Sequence, residues 1–350
     1  MNEREPWHYI REPSILFEGP GFSAAAVAGG PLLAACGSGS KKKSADSPKY
    51  SWRTGTVVST ADPFYTYLTT MAAGIREKTD GAVKLDVFPN GQLGGEADTF
   101  KLLQSGAIQF NAISTVTVNA TVPSTILYSL PYVLDPGDPK KMRAAYTGPT
   151  SKKQRDDLAN IGVQVLNFVN NGTRHIGAKK TFATPDDMKG VKIRVPGTPL
   201  YEGVFKSFGA VPTPLALTDV YSALQQGLVT AYEQPLPGIQ AEKWYESAND
   251  ITLVSYSITP CFVGVNKNLW ASLPSKIQSG IEDAVESASS TFDSTTLPGH
   301  EKAAQDALKG LGATFLTPDL SSWKSSAAAV YSQFAEQVGG MDLIDQLRNA

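Results

Sequence analysis

The sequence has few of the side chains that usually build catalytic or metal sites. It contains two cysteines and three histidines in 350 residues, and His175 stands without the Cys, Asp or Glu spacing of a zinc site. The motifs Gly-x-x-x-x-Gly-Lys-Ser/Thr, His-Glu-x-x-His and Gly-x-Ser-x-Gly are absent, which excludes P-loop, zinc-helix and nucleophile-elbow chemistry. We therefore expect no cofactor and no metal, and these absences argue against an enzyme.

Strong charge of one sign and long apolar runs are also missing. Lys and Arg total 31 against 33 Asp and Glu, a formal net charge of −2, whereas nucleic-acid-binding domains usually carry a basic patch. No run of about 20 uninterrupted apolar residues occurs, so no membrane-spanning helix is predicted in the mature protein. The composition, 41% hydrophobic and 18% charged, is that of a globular protein, and the length allows two domains.

The N-terminal segment differs in composition from the rest of the chain. It is apolar and small from residue 17 and reads Leu33-Ala34-Ala35-Cys36 at its end, which is typical of an export signal and resembles the lipobox of bacterial lipoproteins. This resemblance predicts a signal peptide over 1–36, a lipid on Cys36 and a flexible tether over 37–49. Met1–Glu18 carries more Glu than Arg, unlike a signal peptide, so a plain buried cysteine is the alternative.

From Tyr50 onward, strand-like and helix-like segments alternate. Asp62-Pro63 supplies an N-cap and a first helical residue, and the repeated βαβ order predicts a mostly parallel sheet covered by helices. Near Arg174 the composition shifts, which indicates a second lobe. The predicted organisation is a first lobe over 50–171 plus 260–296, a second lobe over 172–259 plus 313–350, hinges near 171–173 and 258–261, and a long helix from about 274 that Leu297-Pro298-Gly299 should break or kink.

The segment GVKIRVPG, residues 190–197, puts an arginine at the end of a strand. Three β-branched residues alternate with Lys192 and Arg194, as in a half-buried strand, and Pro-Gly then ends the strand. For an arbitrary strand, such a charged pair is most simply a solvated face. The alternative is an anion receptor, because a guanidinium offers parallel N–H donors that match a carboxylate, which lysine cannot do.

Residues 190–235 carry a more specific pattern. They read GVKIRVPGTPLYEGVFKSFGAVPTPLALTDVYSALQQGLVTAYEQP and resemble the signature region of solute-binding proteins of TRAP (tripartite ATP-independent periplasmic) transporters of the DctP type. The segments FPNGQLGGEADTFKLLQSGAIQF, STILYSLPYVLDP and NKNLWASLPSKIQSGIEDAV resemble further parts of that family. Together the matches extend, in order, from about Tyr50 to Ala350.

The resemblance implies an α/β fold of two lobes, similar to type II-like periplasmic binding proteins, with a mixed sheet in each lobe and a long helix bracing both. By position, it implies that Arg194 pairs with a ligand carboxylate. It also implies that Arg174 is a second arginine near the ligand. For Arg174, a structural arginine beside a turn is the alternative.

Four further ligand contacts follow from the same resemblance. Gln234 stands where many members have an Asn that hydrogen-bonds ligand or carboxylate, and Ser114 falls in the first-lobe strand that faces the cleft. Leu217 replaces an aromatic found in some members. Tyr232, in a segment that departs from the family's usual Val-Asp-Gly-Gln-Glu, is assigned to the same wall.

The function implied is extracytoplasmic solute binding. The protein would capture a small carboxylate and deliver it to the membrane permease subunits of a TRAP transporter, with a lipid anchor as its only membrane contact and no nucleic-acid partner. One alternative is an extracytoplasmic enzyme acting on carboxylates, for which His175, Glu233 or the serines are the available groups. Another is a ligand sensor that docks on a receptor kinase.

Overall fold

The computed structural model describes residues 47–349. The predicted signal peptide, Cys36 and the tether up to residue 46 lie outside the described residues. Between residues 47 and 349, no helix combines the length and the apolarity needed to cross a membrane.

Strands and helices alternate through the described residues. The strands are β1 (Tyr50–Gly55), β2 (Val83–Phe88), β3 (Phe110–Ser114), β4 (Val163–Ala178), β5 (Lys192–Val195), β6 (Val211–Pro214), β7 (Ala231–Pro235), β8 (Asp250–Asn266) and β9 (Thr314–Leu316). The helices are α1 (Pro63–Lys78), α2 (Glu96–Ser105), α3 (Thr115–Val118), α4 (Pro139–Thr147), α5 (Lys152–Asn160), α6 (Pro199–Ser207), α7 (Val220–Gln225), α8 (Leu236–Ala241), α9 (Lys267–Ser272), α10 (Ser275–Thr291), α11 (Leu297–Gly310), α12 (Ser321–Ala328), α13 (Tyr331–Val338) and α14 (Met341–Asn349).

Seven strands form one mixed sheet in the order β3-β8-β4-β7-β5-β6, with β9 beside β8, while β1 and β2 pair in parallel on their own. The pairs β5/β6, β5/β7 and β8/β9 are parallel. The pairs β3/β8, β4/β8 and β4/β7 are antiparallel. The mixed α/β class is thus confirmed, but the expectation of a mostly parallel sheet is wrong, because two long strands at its centre run in opposite directions.

These two central strands, β4 and β8, are each longer than the sequence suggests. The sequence predicts two separate pieces, ITLVSYSIT and CFVGVN, where the structure has the single strand β8. Pro260 lies between the pieces and faces Asn170 of β4, where the register of the pair shifts before it resumes at Thr173. Proline is tolerated at such an irregularity, because the ladder hydrogen bond that it cannot donate is already interrupted there.

The long helix near the C-terminus is interrupted but not ended by its proline. After α10, a π-helical turn covers Phe292–Thr296 and α11 follows directly. Pro298 removes one helical donor and crowds the carbonyl four residues earlier, and Ser294 lies within the π turn. The predicted break at Leu297–Gly299 is therefore a local widening of the helix, which continues to Gly310.

Helix α1 begins as its sequence predicts and leads into the apolar core. The Asp62 side chain caps the helix by accepting a hydrogen bond from the Phe64 N–H at 2.8 Å, with Pro63 at the first helical position. Further along, Met71 packs in a cluster with Ile281 of α10, and both are fully buried. Burying such a side chain stabilises the fold by about 1.5–3 kcal/mol, so α1 holds its capping residue in a fixed place.

Candidate functional site

Strand β5 carries Arg194 at its C-terminal end and lies between β6 and β7, parallel to both. Ile193 and Val195 are fully buried, as the alternation predicts. Lys192 is exposed, but Arg194 is only 3% exposed. The solvated-face interpretation is therefore wrong for Arg194. The C-terminal end of parallel strands is where α/β proteins commonly bind ligands.

A cavity of about 460 Å³ lies at this end of β5, within the roughly 300–1,000 Å³ typical of small-molecule sites. Its lining comes from the residues that follow β1, the start of α2 and the end of β3, and from β4, β5, the loop after β6 and the end of β7. Asn171 and Thr259, from the irregular middle parts of β4 and β8, also line the cavity.

Arg194 lines this cavity with part of its guanidinium still available. Its Nε and Nη2 donate to the Leu215 carbonyl at 3.1 and 2.9 Å, and its Nη1 lies 3.8 Å from Oε1 of Glu233, too far for a hydrogen bond. Burial lowers the pKa of Arg194 to about 10, an effect that Glu233 partly offsets and Arg174 strengthens. The side chain is still a cation at neutral pH and keeps Nη1 donors for an anion.

Arg174 lies in the same cavity wall but is already paired. Its Nε and Nη2 bind the two carboxylate oxygens of Glu233, with Nη2 to Oε1 at 2.6 Å. Nη1 donates to Thr259 Oγ1 at 2.8 Å, and Nη2 also reaches Gln234 Oε1 at 3.3 Å. The Tyr256 hydroxyl donates to Glu233 Oε2 at 2.6 Å. Burial alone would lower the pKa of Arg174, but the Glu233 charge, the hydrogen bond to Glu233 and the nearby Tyr201 and Tyr256 together outweigh it, and the pKa is raised.

Three other predicted site residues also line the cavity. Gln234 is the penultimate residue of β7 and accepts a hydrogen bond from Arg174. Ser114 ends β3, and its Oγ accepts from the Val116 N–H at 3.3 Å. Leu217 begins a short 3-10 turn after β6 and adds an apolar surface. The structure thus brings these residues together with both arginines.

Tyr232 does not belong to the cavity lining. It is fully buried, its hydroxyl donates to the Ala248 carbonyl at 2.7 Å, and its ring packs edge-on against Trp244 at 5.3 Å. It also fills the space over Gly177, where an added Cβ would lie 2.2 Å from its ring. The prediction of a ligand contact is therefore corrected: Tyr232 packs in the core beneath the site, because the sheet registers it against a glycine.

Glu96 also lines the cavity, although no sequence pattern singled it out. It is the first residue of α2, and its Oε1 accepts from the Ser114 N–H at 3.4 Å while its Oε2 accepts from the Thr117 hydroxyl. Burial raises the pKa of Glu96, and the two hydrogen bonds and the positive charges of Arg174 and Arg194 only partly oppose this.

Asp62 is a second cavity residue that sequence reasoning assigned only to helix capping. It is 6% exposed and lines the cavity. Burial raises the pKa of Asp62 to about 6; its hydrogen bond from Phe64 opposes the shift and Glu242 adds to it. In the sequence, Asp62 and Glu96 each stand at the start of a helix that follows a strand. That position is too common among acidic residues to indicate a binding site.

The residues considered for catalysis are held in other roles. His175 lies outside the cavity lining, its Nδ1 accepts from the Ser255 N–H at 3.3 Å, and burial lowers its pKa to about 3. Glu233 is fully buried and bound by Arg174 and Tyr256. Within residues 47–349, no group of three or more His, Cys, Asp or Glu side chains is arranged to hold a metal ion.

Comparison with solved structures shows the same architecture. A crystal structure of a TRAP periplasmic solute-binding protein from Xanthobacter autotrophicus Py2 with bound β-D-galacturonate superposes with a TM-score of 0.79 at 26% identity, covering 85% of this chain and 99% of that one. A protein of the same description from Chromohalobacter salexigens, with bound D-glucuronate, gives 0.79 at 26% identity, with 85% and 99% coverage. The two-lobed periplasmic-binding fold is thereby confirmed.

Sequence comparison agrees with the structural one. The C4-dicarboxylate-binding periplasmic protein DctP of Rhodobacter capsulatus is 29% identical over 266 residues, which are 75% of this chain and 79% of that protein. The family described as bacterial extracellular solute-binding protein, family 7 (DctP), matches residues 54–337. The match covers most of the chain and includes β3, β4, β5 and β7, the strands that carry the cavity. The chain therefore belongs to the family 7 bacterial extracellular solute-binding proteins.

Proposed function

We propose that this protein captures a small carboxylate in the cavity at Arg194 and delivers it to the membrane permease subunits of a TRAP transporter. The observation that carries the proposal is Arg194 itself. Its guanidinium is almost fully buried, lines the cavity and has an Nη1 that makes no hydrogen bond within residues 47–349. A buried cation with unused donors is a receptor for an anion.

The net charge of the buried group formed by Arg174, Arg194 and Glu233 supports a single carboxylate at this position. Arg174 and Arg194 contribute two positive charges, and Glu233 between them contributes one negative charge. One ligand carboxylate would balance the remaining charge. Removing one partner of a desolvated ion pair costs about 3–5 kcal/mol. Loss of the Arg194 guanidinium should therefore weaken carboxylate binding roughly a hundredfold to several-thousandfold.

The similar proteins support the ligand class. The Rhodobacter capsulatus protein is named for C4-dicarboxylates, and the Xanthobacter and Chromohalobacter proteins hold galacturonate and glucuronate. All of these ligands share at least one carboxylate. We assign that shared group to Arg194, with Arg174, Gln234 and Ser114 as supporting contacts and Leu217 against the ligand body.

We further propose that the cavity closes between two lobes, one over 50–171 plus 260–296 and the other over 172–259 plus 313–350. The hinges near 171–173 and 258–261 coincide with the register shift of β4 against β8. Asn171 and Thr259, at these positions, line the cavity, so a bend there would change the separation of the walls. Closure that expels water would strengthen the contact between Arg194 and a carboxylate.

Attachment to the membrane through a lipid on Cys36 completes the proposal. The Leu-Ala-Ala-Cys sequence before a polar, flexible stretch supports it. Intact-mass analysis of the protein made in a bacterial host should show a mature chain that begins at Cys36 with added acyl mass, and Cys36→Ser should lose that mass. An unmodified Cys36 within a longer chain would contradict the anchor and leave the binding proposal intact.

A carboxylate panel with Arg194 variants tests the binding function. A ligand at 100 times its dissociation constant should stabilise the folded protein by about 2.7 kcal/mol, which thermal unfolding detects. Arg194→Gln should abolish this shift, whereas Lys192→Gln, an exposed residue of the same strand, should retain it. If no carboxylate raises the unfolding temperature, or if Arg194→Gln binds like the unchanged protein, the proposed function is wrong.

A further inference from the structure

The interrupted helix formed by α10, the π-helical turn and α11 contacts β4 at two points of the proposed hinge. We propose that Asp293 and Glu301 of this helix are positioning residues for ligand binding. They fix the β4 backbone at Asn170 and Thr173, the two ends of the hinge, and so stabilise the arrangement that encloses a ligand. This inference rests on the proposed function, since it takes residues 171–173 as a hinge between the proposed lobes.

Two backbone donors of β4 end on acids of this helix. The Asn170 N–H donates to Oδ1 of Asp293 at 3.0 Å, and the Thr173 N–H donates to Oε1 of Glu301 at 2.7 Å. The register of β4 against β8 shifts between Asn170 and Thr173. The helix therefore supplies hydrogen-bond acceptors where the ladder of the sheet is interrupted and the backbone donors need other partners.

The spacing of these contacts indicates that helix and strand run side by side across the hinge. Glu301 follows Asp293 by eight residues, which is about 12 Å of α-helix. Thr173 follows Asn170 by three residues, which is about 10 Å of strand. Because the two lengths nearly match, a bend of β4 between its two contacts requires the helix to bend between the two acids.

The π-helical turn lies in the segment between the two acids. It covers Phe292–Thr296, and Pro298 follows it, so this segment lacks part of the regular hydrogen bonding of an α-helix. Helix kinks concentrate at π-bulges and prolines, and π turns are frequent at functional sites. The helix is therefore most able to bend where a hinge motion of β4 would require it.

Asn170 connects the helix to the second strand of the hinge. Its side-chain Oδ1 accepts from the Gly172 N–H at 3.0 Å and from the Thr259 N–H of β8 at 3.2 Å. The Thr259 hydroxyl accepts from Arg174 Nη1, and Thr259 lines the cavity. A displacement of the helix at Asp293 is therefore transmitted to both hinge strands and to the cavity lining.

Both acids lie in surroundings that disfavour their charge. Asp293 is 4% exposed, and its Oδ2 has no hydrogen-bond partner within residues 47–349. Neither acid forms an ion pair in that part of the chain. Burial raises the pKa of both carboxyl groups, and the hydrogen bonds from β4 only partly oppose this. Buried polar groups are normally satisfied, and positions that depart from this rule are often functional.

Removal and restoration of each acceptor test the inference. Asp293→Ala and Glu301→Ala remove the acceptor, whereas Asp293→Asn and Glu301→Gln keep an amide oxygen in its place. The probe is the tightest binder of a carboxylate panel that includes D-glucuronate, D-galacturonate and succinate, measured by calorimetry. We expect each Ala variant to bind the probe about tenfold more weakly, because a hydrogen bond to a charged group is lost. Each amide variant should bind within about threefold of the unchanged protein.

Distances between spin labels distinguish positioning from a general loss of stability. Labels at Lys101→Cys on α2 and Ser222→Cys on α7, both exposed positions, report on the two proposed lobes. A Cys36→Ser background is used, and Cys261 is buried. With saturating probe, the unchanged protein should give one distance, and each Ala variant should add a second, longer distance. Asp283→Ala, on the exposed face of α10, should match the unchanged protein in affinity and in distance.

The outcomes separate this inference from the proposed function. Folded Ala variants that bind within about twofold of the unchanged protein, or that keep a single distance, overturn the inference. Amide variants that bind as weakly as the Ala variants also overturn it, and carboxylate binding at Arg194 stands in each of these cases. If no carboxylate of the panel binds the unchanged protein, the proposed function and this inference fail together. Glu301 is half-buried, so Glu301→Ala provides the test if Asp293→Ala does not fold.

Discussion

Arg174 and Glu233 form a two-point ion pair that is almost completely removed from solvent, with side-chain exposures of 4% and 0%. Tyr256 and Thr259 complete the hydrogen bonds of the pair. Glu233 binds Arg174 through both carboxylate oxygens. Its Oε1 lies 3.8 Å from Nη1 of Arg194, so it makes no hydrogen bond to that arginine. One arginine is thus held by the protein, and the other keeps donors for a ligand.

Glu233→Gln should destabilise the protein strongly. The substitution leaves Arg174 as a buried cation without its counter-charge, which costs about 3–5 kcal/mol. Urea unfolding would measure this as a lower transition midpoint. Glu202→Gln, which breaks a partly exposed pair with Lys206 on α6, should change the free energy of unfolding by about 0.5 kcal/mol or less. Equal midpoints for the two variants would contradict the role assigned to Glu233.

The sequence alone could locate Arg194 but not its partners. Alternation in GVKIRVPG and the following Pro-Gly place an arginine at a strand end, which is a local property. Its contact with the Leu215 carbonyl and its distance from Glu233 depend on how β5 lies between β6 and β7, which local patterns do not encode. The assignment of Tyr232 failed for the same reason, since its burial follows from its pairing with Gly177 across β4 and β7.

The long strands show a similar limit. Pro260 indicates a strand end when it is considered alone, yet tertiary pairing carries β8 through it opposite an irregularity in β4. Capping of α1 by Asp62 was predictable because it needs only neighbouring residues. The burial of Asp62 and the half-buried position of Glu96 were not, because acids at helix starts are usually solvated and their enclosure depends on tertiary packing.

Gly177→Ala should destabilise the sheet beneath the site. The added Cβ would lie 2.2 Å from the Tyr232 ring, and that ring is buried against Trp244 and cannot withdraw. Overpacking of this kind typically costs about 1–3 kcal/mol, measured by chemical unfolding. The matched control is Gly203→Ala in α6, where the nearest atom is 3.5 Å away and Ala is favoured over Gly by roughly 0.5–1 kcal/mol.

A double substitution identifies the cause in this case. In a Tyr232→Ala background, which removes the ring, Gly177→Ala should cost much less than in the unchanged protein, because the two effects are coupled through one contact. Additive free energies would mean that the clash with Tyr232 does not explain the cost.

Asp293→Asn should remove a pH-dependent destabilisation of the protein. Burial raises the pKa of Asp293 to about 7, partly opposed by its hydrogen bond from Asn170 and by the Arg143 charge. The folded state therefore holds more protons than the unfolded state between about pH 4 and pH 7, and stability falls as pH rises through that range. The free energy of unfolding of Asp293→Asn, relative to that of the unchanged protein, should therefore be higher at pH 8 than at pH 4.5. Asp283→Asn, exposed on α10, should give no such gain.

His175 should produce the opposite pH dependence. Its imidazole is buried and accepts a hydrogen bond from Ser255 through Nδ1, and burial lowers its pKa to about 3. The unfolded state takes up the proton below about pH 6.5, so the folded protein loses about 1.4 kcal/mol per pH unit below that value. His175→Gln, which cannot be protonated, should unfold with a shallower loss between pH 6.5 and 4.5, whereas the exposed His300→Gln should follow the unchanged protein. Parallel curves for His175→Gln and the unchanged protein would mean that the imidazole charges inside the fold, which a desolvated position beneath the cavity does not permit.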